Sequence, residues 1–168
     1  IDIMTLTDSK TLTDLFSLET LCLFDKGLSE LPNSIYNLVN VVDIDLSYNK
    51  LKTLPQEFSN FTKLVDLELS NNEFSEIPNV LQQMSSLEII SIGNCKISNI
   101  CFENTKLINL NCLKLNNNFI KEIPKSIKNL ANLTVLVFDG NNIKILPVEL
   151  EFLQKLTYFL LEYNEIQT

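Results

Sequence analysis

Apolar residues recur along this chain with a period of 23 residues. In the unit 41–63 they stand at the first, fourth, sixth, eleventh, fourteenth, eighteenth and twenty-first places. These are Val41, Ile44, Leu46, Leu51, Leu54, Phe58 and Phe61, and the next unit repeats them as Leu64, Leu67, Leu69, Phe74, Ile77, Leu81 and Met84. Complete units begin at 18, 41, 64, 87, 110 and 133, and a truncated one begins at 156.

The spacing within a unit predicts two elements. Apolar residues at the fourth and sixth places lie on the same side of an extended segment, so each unit opens with a short strand. A proline such as Pro55 presets φ for a return segment, and apolar residues three apart, such as Phe58 and Phe61, favour one or two helical or 3₁₀ turns.

A single asparagine follows the strand at the ninth place in most units. A short amide can satisfy backbone groups where no ladder continues, so we interpret these asparagines as structural turn residues. They are Asn49, Asn72, Asn118, Asn141 and Asn164.

The order L-x-x-L-x-L-x-x-N-x-L at this period resembles the leucine-rich repeat family. The resemblance implies an α/β solenoid, a curved horseshoe with a concave parallel β-sheet and a convex face of short helical or 3₁₀ segments. The tail seen at Leu31, Pro32, Ile35 and Leu38 is similar to that of the intracellular subgroup typified by Ras-binding and Scribble-type scaffolds.

The unit boundaries predict one elongated repeat domain, residues 18–168, preceded at 1–17 by an N-terminal cap or degenerate repeat. Leu12 and Leu15 lie 23 residues before Ile35 and Leu38 and would continue the convex half of a unit. The last unit stops before its convex half, and a stack that ends in this way exposes apolar surface. We therefore expect a fragment of a longer protein.

Outward strand places predict an acidic patch on the concave face, beside Tyr48. In register, Asp43 would lie beside Asp66 and Asp45 beside Glu68, and like charges side by side cost stability. The cluster indicates a partner with basic groups; alternatively, it only keeps the solenoid soluble. A calcium site is the poorer interpretation, because a flat sheet does not wrap an ion in oxygens.

The later units predict an apolar and aromatic patch on the same face. Exposed patches of this kind mark interaction sites, and tyrosine is a favoured anchor. Alternatively, following repeats or a neighbouring domain cover part of it. The residues are Val135, Val137, Tyr158, Leu160 and Tyr163.

Composition excludes several functions. A net charge of −8 without arginine argues against nucleic-acid binding. No apolar run approaches the roughly 18 residues of a membrane span, so we expect no membrane insertion. The chain has no histidine, and its three glycines are scattered. We therefore assign no catalytic residue, metal site or cofactor, and the sequence does not indicate an oligomeric state.

The four cysteines are spread over the units rather than paired at an end of the array, which favours reduced thiols and a cytoplasmic protein. Cys22 and Cys112 fall on strands, whereas Cys95 and Cys101 take an asparagine and a proline place. The N-x-T sequons at Asn60 and Asn132 are interpreted as part of the repeat pattern.

The fourth unit departs most from the pattern. Besides its two cysteines, it has Asn104 at a core place that Ile35, Phe58, Leu81 and Ile127 occupy in other units. These departures predict either a flexible or bent joint or sequence drift tolerated within the array.

These observations predict a non-catalytic scaffold module that binds a protein partner on its concave face. The alternative, from a different class, is a regulatory or targeting segment of a larger intracellular signalling enzyme, because the resemblance extends to repeats beside phosphatases, kinases, cyclases and GTPases. A secreted receptor fragment is disfavoured because cysteine-rich caps are absent from the sequence.

Overall fold

The computed structural model describes residues 11–167, which form seven short strands joined by short helical segments. An α-helix, α1 (Leu12–Phe16), comes first. The strands are β1 (Thr20–Cys22), β2 (Asp43–Asp45), β3 (Asp66–Glu68), β4 (Ile89–Ser91), β5 (Cys112–Lys114), β6 (Val135–Val137) and β7 (Tyr158–Leu160). The 3₁₀ helices are η1 (Asn33–Asn37), η2 (Gln56–Asn60), η3 (Asn79–Gln83), η4 (Lys125–Asn129) and η5 (Val148–Phe152).

All seven strands form one parallel sheet in sequence order. Each strand pairs with the next at an offset of one 23-residue unit, as in Thr20 opposite Asp43 and Asp43 opposite Asp66. The sequence period is therefore the register of the sheet. The predicted repeat solenoid is confirmed.

The predicted core places of the unit 41–63 are all buried. The middle residue of each of the first six strands points into the same core, as Ile44 and Leu67 do. Phe58 of η2 and Phe61 just after it meet edge to face at 5.1 Å between ring centroids, and Phe61 meets Tyr36 of the preceding unit edge to face at 6.1 Å. Each unit thus closes its core against the neighbouring units, as a solenoid requires.

The ninth-place asparagines join neighbouring units. The Asn72 amide nitrogen donates to the carbonyl of Leu69 in its own unit and to that of Leu46 in the preceding unit, both at 2.9 Å. Its oxygen accepts from the Leu51 N–H at 2.9 Å. These bonds reach beyond the local turn that the sequence indicates. Asn49, Asn118, Asn141 and Asn164 make the same set.

In the fourth unit the prediction that Asn104 occupies a core place is wrong. Asn104 is exposed, and Phe102, two residues earlier, is fully buried in its stead. The Phe102 N–H donates to Ser126 Oγ at 3.0 Å, and Asn129 donates to the Phe102 carbonyl at 2.9 Å. Bonds to the next unit thus replace the 3₁₀ helix that this segment lacks. Whether the unit is a joint stays a prediction.

Helix α1 begins at a capping box in which Thr11 and Asp14 exchange side-chain to backbone bonds of 3.0 and 3.1 Å. Leu15 is buried, but Leu12 is 64% exposed. The 23-residue register places both leucines in the convex half of a unit, but only Leu15 joins the core, because an α-helix replaces the 3₁₀ turn here. The rest of the predicted cap, residues 1–10, lies outside the described residues.

We expect Cys95→Asn to stabilise the protein. Cys95 is buried at the asparagine place, where its thiol lies 3.8 Å from the Leu69 carbonyl and 3.5 Å from that of Gly93. An asparagine amide would donate to the Leu69 carbonyl more strongly than the thiol does. It would also accept from the Phe74 N–H, which now donates to sulfur, a weak acceptor. The free energy of unfolding in urea should rise by about 1–2 kcal/mol.

Asn72→Ala removes the amide from an ordinary unit. We expect it to lower the free energy of unfolding by about 2–4 kcal/mol, because the buried backbone groups that the Asn72 amide binds lose their hydrogen bonds. Asn37→Ala, at an exposed site in η1, should change it by less than about 0.5 kcal/mol. A Cys95→Asn protein no more stable than the wild type would contradict the inter-unit role of the amide.

Candidate functional site

The outward side chains of the strands and of the turns after them form one surface, which we call the strand face. Parallel register arranges its strand residues in two columns. The first column is Thr20, Asp43, Asp66, Ile89, Cys112, Val135 and Tyr158, and the second is Cys22, Asp45, Glu68, Ser91, Lys114, Val137 and Leu160.

Four carboxylates form an acidic patch on β2 and β3, where Asp43 pairs with Asp66 and Asp45 with Glu68. Asp45 accepts from both the N–H and the hydroxyl of Ser47, at 2.9 and 2.6 Å. Glu68 accepts from the Ser70 N–H at 2.7 Å. Two of the carboxylates are therefore held by the turns that follow their strands.

Burial raises the pKa of the Asp66 carboxyl above its ordinary value, and the neighbouring charge of Asp43 raises it further. The negative charges of Glu68 and Asp45 also raise this pKa, whereas the positive charge of Lys114 lowers it. The acidic patch thus makes the charged form of Asp66 less favourable than it is in water, and a positive charge placed over the patch would act in the opposite direction.

The eighth place of every unit has a left-handed backbone. Asparagine, aspartate and glycine tolerate this conformation, and they fill five of the seven places; Tyr48 at φ 57° and Tyr163 at φ 54° fill the other two. A bulky side chain there costs about 1–3 kcal/mol. The chain therefore carries two strained tyrosines, both on the strand face. The tolerant residues are Asp25, Asn71, Asn94, Asn117 and Gly140.

Tyr48 packs on Phe24, with ring centroids 5.1 Å apart. Both side chains are about half exposed, so the pair forms an aromatic surface at the edge of the acidic patch. The sequence did not indicate Phe24 as a site residue. It stands at the seventh place of its unit and Tyr48 at the eighth, so a comparison of equivalent places does not pair them.

The predicted apolar patch comes together on β6 and β7. Val135 pairs with Tyr158 and Val137 with Leu160. The two valines are half-buried and the β7 residues are exposed, Tyr158 by 65%. Tyr163, in the turn after β7, is more exposed still.

The two patches lie apart. Between them, Ser91 on β4 and Cys112 on β5 are buried, Ile89 is half-buried and Lys114 is exposed, so the middle of the strand face belongs to neither patch. At about 4.8 Å per strand, β3 and β6 are roughly 14 Å apart.

Within residues 11–167 the side chains of histidine, cysteine, aspartate and glutamate form no group of three or more that could hold a metal ion. The four cysteines, all in this range, are free thiols, of which Cys95 and Cys112 are buried. None of the helices described has the length and apolarity to cross a membrane.

Comparison with known families matches residues 3–104 to a family described as leucine-rich repeat region and residues 108–166 to one described as leucine rich repeat. The chain belongs to the leucine-rich repeat family. Leucine-rich repeat domains are a common protein–protein interaction module. The comparisons do not distinguish subgroups, so the likeness to Ras-binding and Scribble-type scaffolds stays a prediction. A comparison with curated proteins found no match.

Among solved structures, the TLR13 chain of a TLR13–ssRNA13 complex is similar, with 31% identity and a TM-score of 0.82. The match covers 93% of this chain and 23% of that one. An internalin (InlF) from Listeria monocytogenes has 23% identity and a TM-score of 0.68, over 94% of this chain and 53% of that one. The internalin shows the fold alone. The leucine-rich repeats of this chain thus span only part of the length of either protein.

The raised pKa of Asp66 predicts how stability changes with pH. The folded repeat binds this proton more tightly than the unfolded chain, so ionised Asp66 costs stability, and the cost disappears as the pH falls through the folded pKa. Asp66→Asn should therefore be more stable than the wild type at about pH 7, with a smaller advantage at about pH 4.

Carbon-13 NMR of the Asp66 carboxyl checks the cause, with an expected midpoint above 3.8 that falls in Asp43→Asn. Glu30→Gln, at an exposed site outside the patch, should leave the midpoint unchanged. A midpoint at or below 3.8 would contradict the prediction.

The strained backbone predicts that Tyr163→Asn raises the free energy of unfolding by about 1 kcal/mol, because asparagine tolerates a left-handed φ. Tyr158→Asn is the matched control, since Tyr158 is also an exposed tyrosine but lies in β7 with ordinary strand geometry. It should give no gain. Equal effects of the two substitutions in urea denaturation would refute the strain.

Proposed function

We propose that this chain is a non-catalytic module that holds a protein partner on its strand face. The acidic patch, with Tyr48, contacts basic groups of the partner, and the apolar patch contacts its apolar groups. The contact residues are Asp43, Asp45, Tyr48, Asp66 and Glu68 at one end and Val135, Val137, Tyr158, Leu160 and Tyr163 at the other.

The observation that carries the proposal is the pair of tyrosines in left-handed backbone, Tyr48 and Tyr163. Each places a bulky side chain at a left-handed position where the other five units have asparagine, aspartate or glycine. Both tyrosine side chains are exposed, so packing in the core does not explain them. Breaks of this kind concentrate at functional sites. Tyrosine is also a favoured interface anchor, because it offers a large contact area and a polar hydroxyl.

The acidic patch supports a partner with lysine or arginine. Its carboxylates repel one another on adjacent strands, and this repulsion adds to the burial that raises the pKa of Asp66. A cation over the patch would offset this repulsion. Binding would therefore gain from the attraction between the cation and the carboxylates and from the reduced repulsion among the carboxylates. The attraction weakens as salt is added.

The separation of the patches supports a folded partner rather than a short peptide. From β2 to β7 the strand face extends over about five strand spacings, or roughly 24 Å. An interface of ordinary size buries about 800 Å² on each partner and covers such a distance.

We also propose that the chain acts in the cytoplasm and that it has no enzymatic activity. The scattered free cysteines and the lack of histidine support these two points. The proposed absence of nucleic-acid binding is supported by the net charge of −8. The similar TLR13 structure is a complex with ssRNA13, so single-stranded RNA is a necessary arm of the test.

The test is capture of protein from an extract of the source cells by the immobilised chain, with Asp43→Asn/Asp66→Asn as the variant. Asp45 and Glu68 are left intact, because they hold Ser47 and Ser70. We expect the double variant to bind the captured partner at least about tenfold more weakly at low salt, with a smaller difference at high salt.

Glu30→Gln/Glu57→Gln removes the same charge from exposed sites outside the strand face and should bind as the wild type does. Capture by the double variant that is undiminished and insensitive to salt would overturn the acidic half of the proposal. Leu160→Ser tests the apolar half in the same assay. Tight binding of labelled single-stranded RNA would contradict the exclusion of nucleic acid.

A further inference from the structure

The sixth unit carries apolar side chains at two surface places that are polar in most other units. Ile145 is 72% exposed and Val148 is 76% exposed. The places equivalent to Ile145 hold Glu30, Thr53, Glu76, Asn99 and Glu122, and those equivalent to Val148 hold Asn33, Gln56, Asn79 and Lys125, with Phe102 as the displaced exception.

The exposure of these two places does not depend on the neighbouring units. The polar residues at equivalent places, such as Thr53 and Gln56, are exposed although complete units stack on both sides of them. A further unit stacked on the sixth would therefore not cover Ile145 or Val148. Something other than the repeat array accounts for apolar side chains here.

Both residues line a groove of about 680 Å³ where the convex segments of the fifth and sixth units meet. Ile123 and Pro124 come from the fifth unit and lie ahead of η4; Leu146 and Pro147 come from the sixth and lie ahead of η5. Because η4 packs on η5, the two walls are held in place. This volume lies within the range of about 300–1,000 Å³ that is usual for ligand pockets.

The charged residues of the groove are mostly acidic. Glu103, Glu122 and Glu149 line it against a single lysine, Lys125. An apolar floor with a carboxylate rim fits a segment whose apolar side chains are flanked by positive charges.

We propose that this groove binds a short segment of another protein in which two or three apolar side chains are flanked by lysine or arginine. The groove lies outside the strand face, so this binding is independent of the proposed function. A second copy of the chain fits less well, because a symmetric contact would bring two acidic rims together.

The test uses three fluorescein-labelled peptides of about ten residues each, made of leucine with lysine, leucine with serine or leucine with glutamate. Ile145→Thr/Val148→Gln is the variant, since the second unit folds with these residues at Thr53 and Gln56. We expect the leucine–lysine peptide to bind best and the variant to bind it at least about tenfold more weakly.

Ile108→Thr, which changes an exposed isoleucine outside the groove, is the matched control and should bind as the wild type does. Asp43→Asn/Asp66→Asn should also keep peptide binding, which separates this groove from the strand face. In ¹⁵N NMR spectra, the peptide should shift the amides of Ile145, Leu146 and Val148.

Three results would overturn the proposal. One is equal binding of the leucine–lysine peptide by the wild type and by Ile145→Thr/Val148→Gln. Another is binding of the leucine–glutamate peptide as strong as that of the leucine–lysine peptide. The third is self-association, seen by sedimentation, that the same variant abolishes, because the occupant would then be a second copy.

Discussion

Five of the seven repeats are joined to the one before them by the amide of one asparagine side chain; the first repeat has Lys26 and the fourth Cys95 at this place. The ninth-place asparagine donates to a carbonyl in each of two units and accepts from a backbone N–H of the preceding unit. A short side chain makes these three bonds only when the units stack at one fixed offset. All seven strands keep one offset of this kind, also at the fourth unit, where Cys95 takes the asparagine place, and this parallel register forms the columns of outward residues on the strand face.

Repetition explains what the sequence could predict. The strand places, the core of an ordinary unit and the pairing of Asp43 with Asp66 all recur at one spacing, so they are visible without coordinates. Phe102 was missed because most other units have a polar residue at its place, and its backbone bond to Ser126, in another unit, does not show in the repeat pattern. The left-handed backbone at the eighth place was missed because its only trace in the sequence is a preference for asparagine, aspartate and glycine, and Tyr48 does not follow that preference.

The surface positions that depart from the repeat pattern lie on two sides of the molecule. Tyr48 and Tyr163 depart from it on the strand face, and Ile145 and Val148 depart from it on the convex side. The core tolerates few substitutions because every unit must fit its neighbours. The recognition proposed for this chain therefore uses exposed positions outside the core, and one solenoid can present separate surfaces with separate chemistry.

The asparagine bonds point in one direction along the chain. Asn49 binds the Leu23 carbonyl, 26 residues earlier, and the Leu28 N–H, 21 residues earlier. During synthesis on the ribosome, these groups of the first unit lack their side-chain partner until Asn49 has been added. Where the following unit has this asparagine, it completes the polar groups of the unit before it, and we expect the solenoid to assemble from its N-terminal end while translation continues.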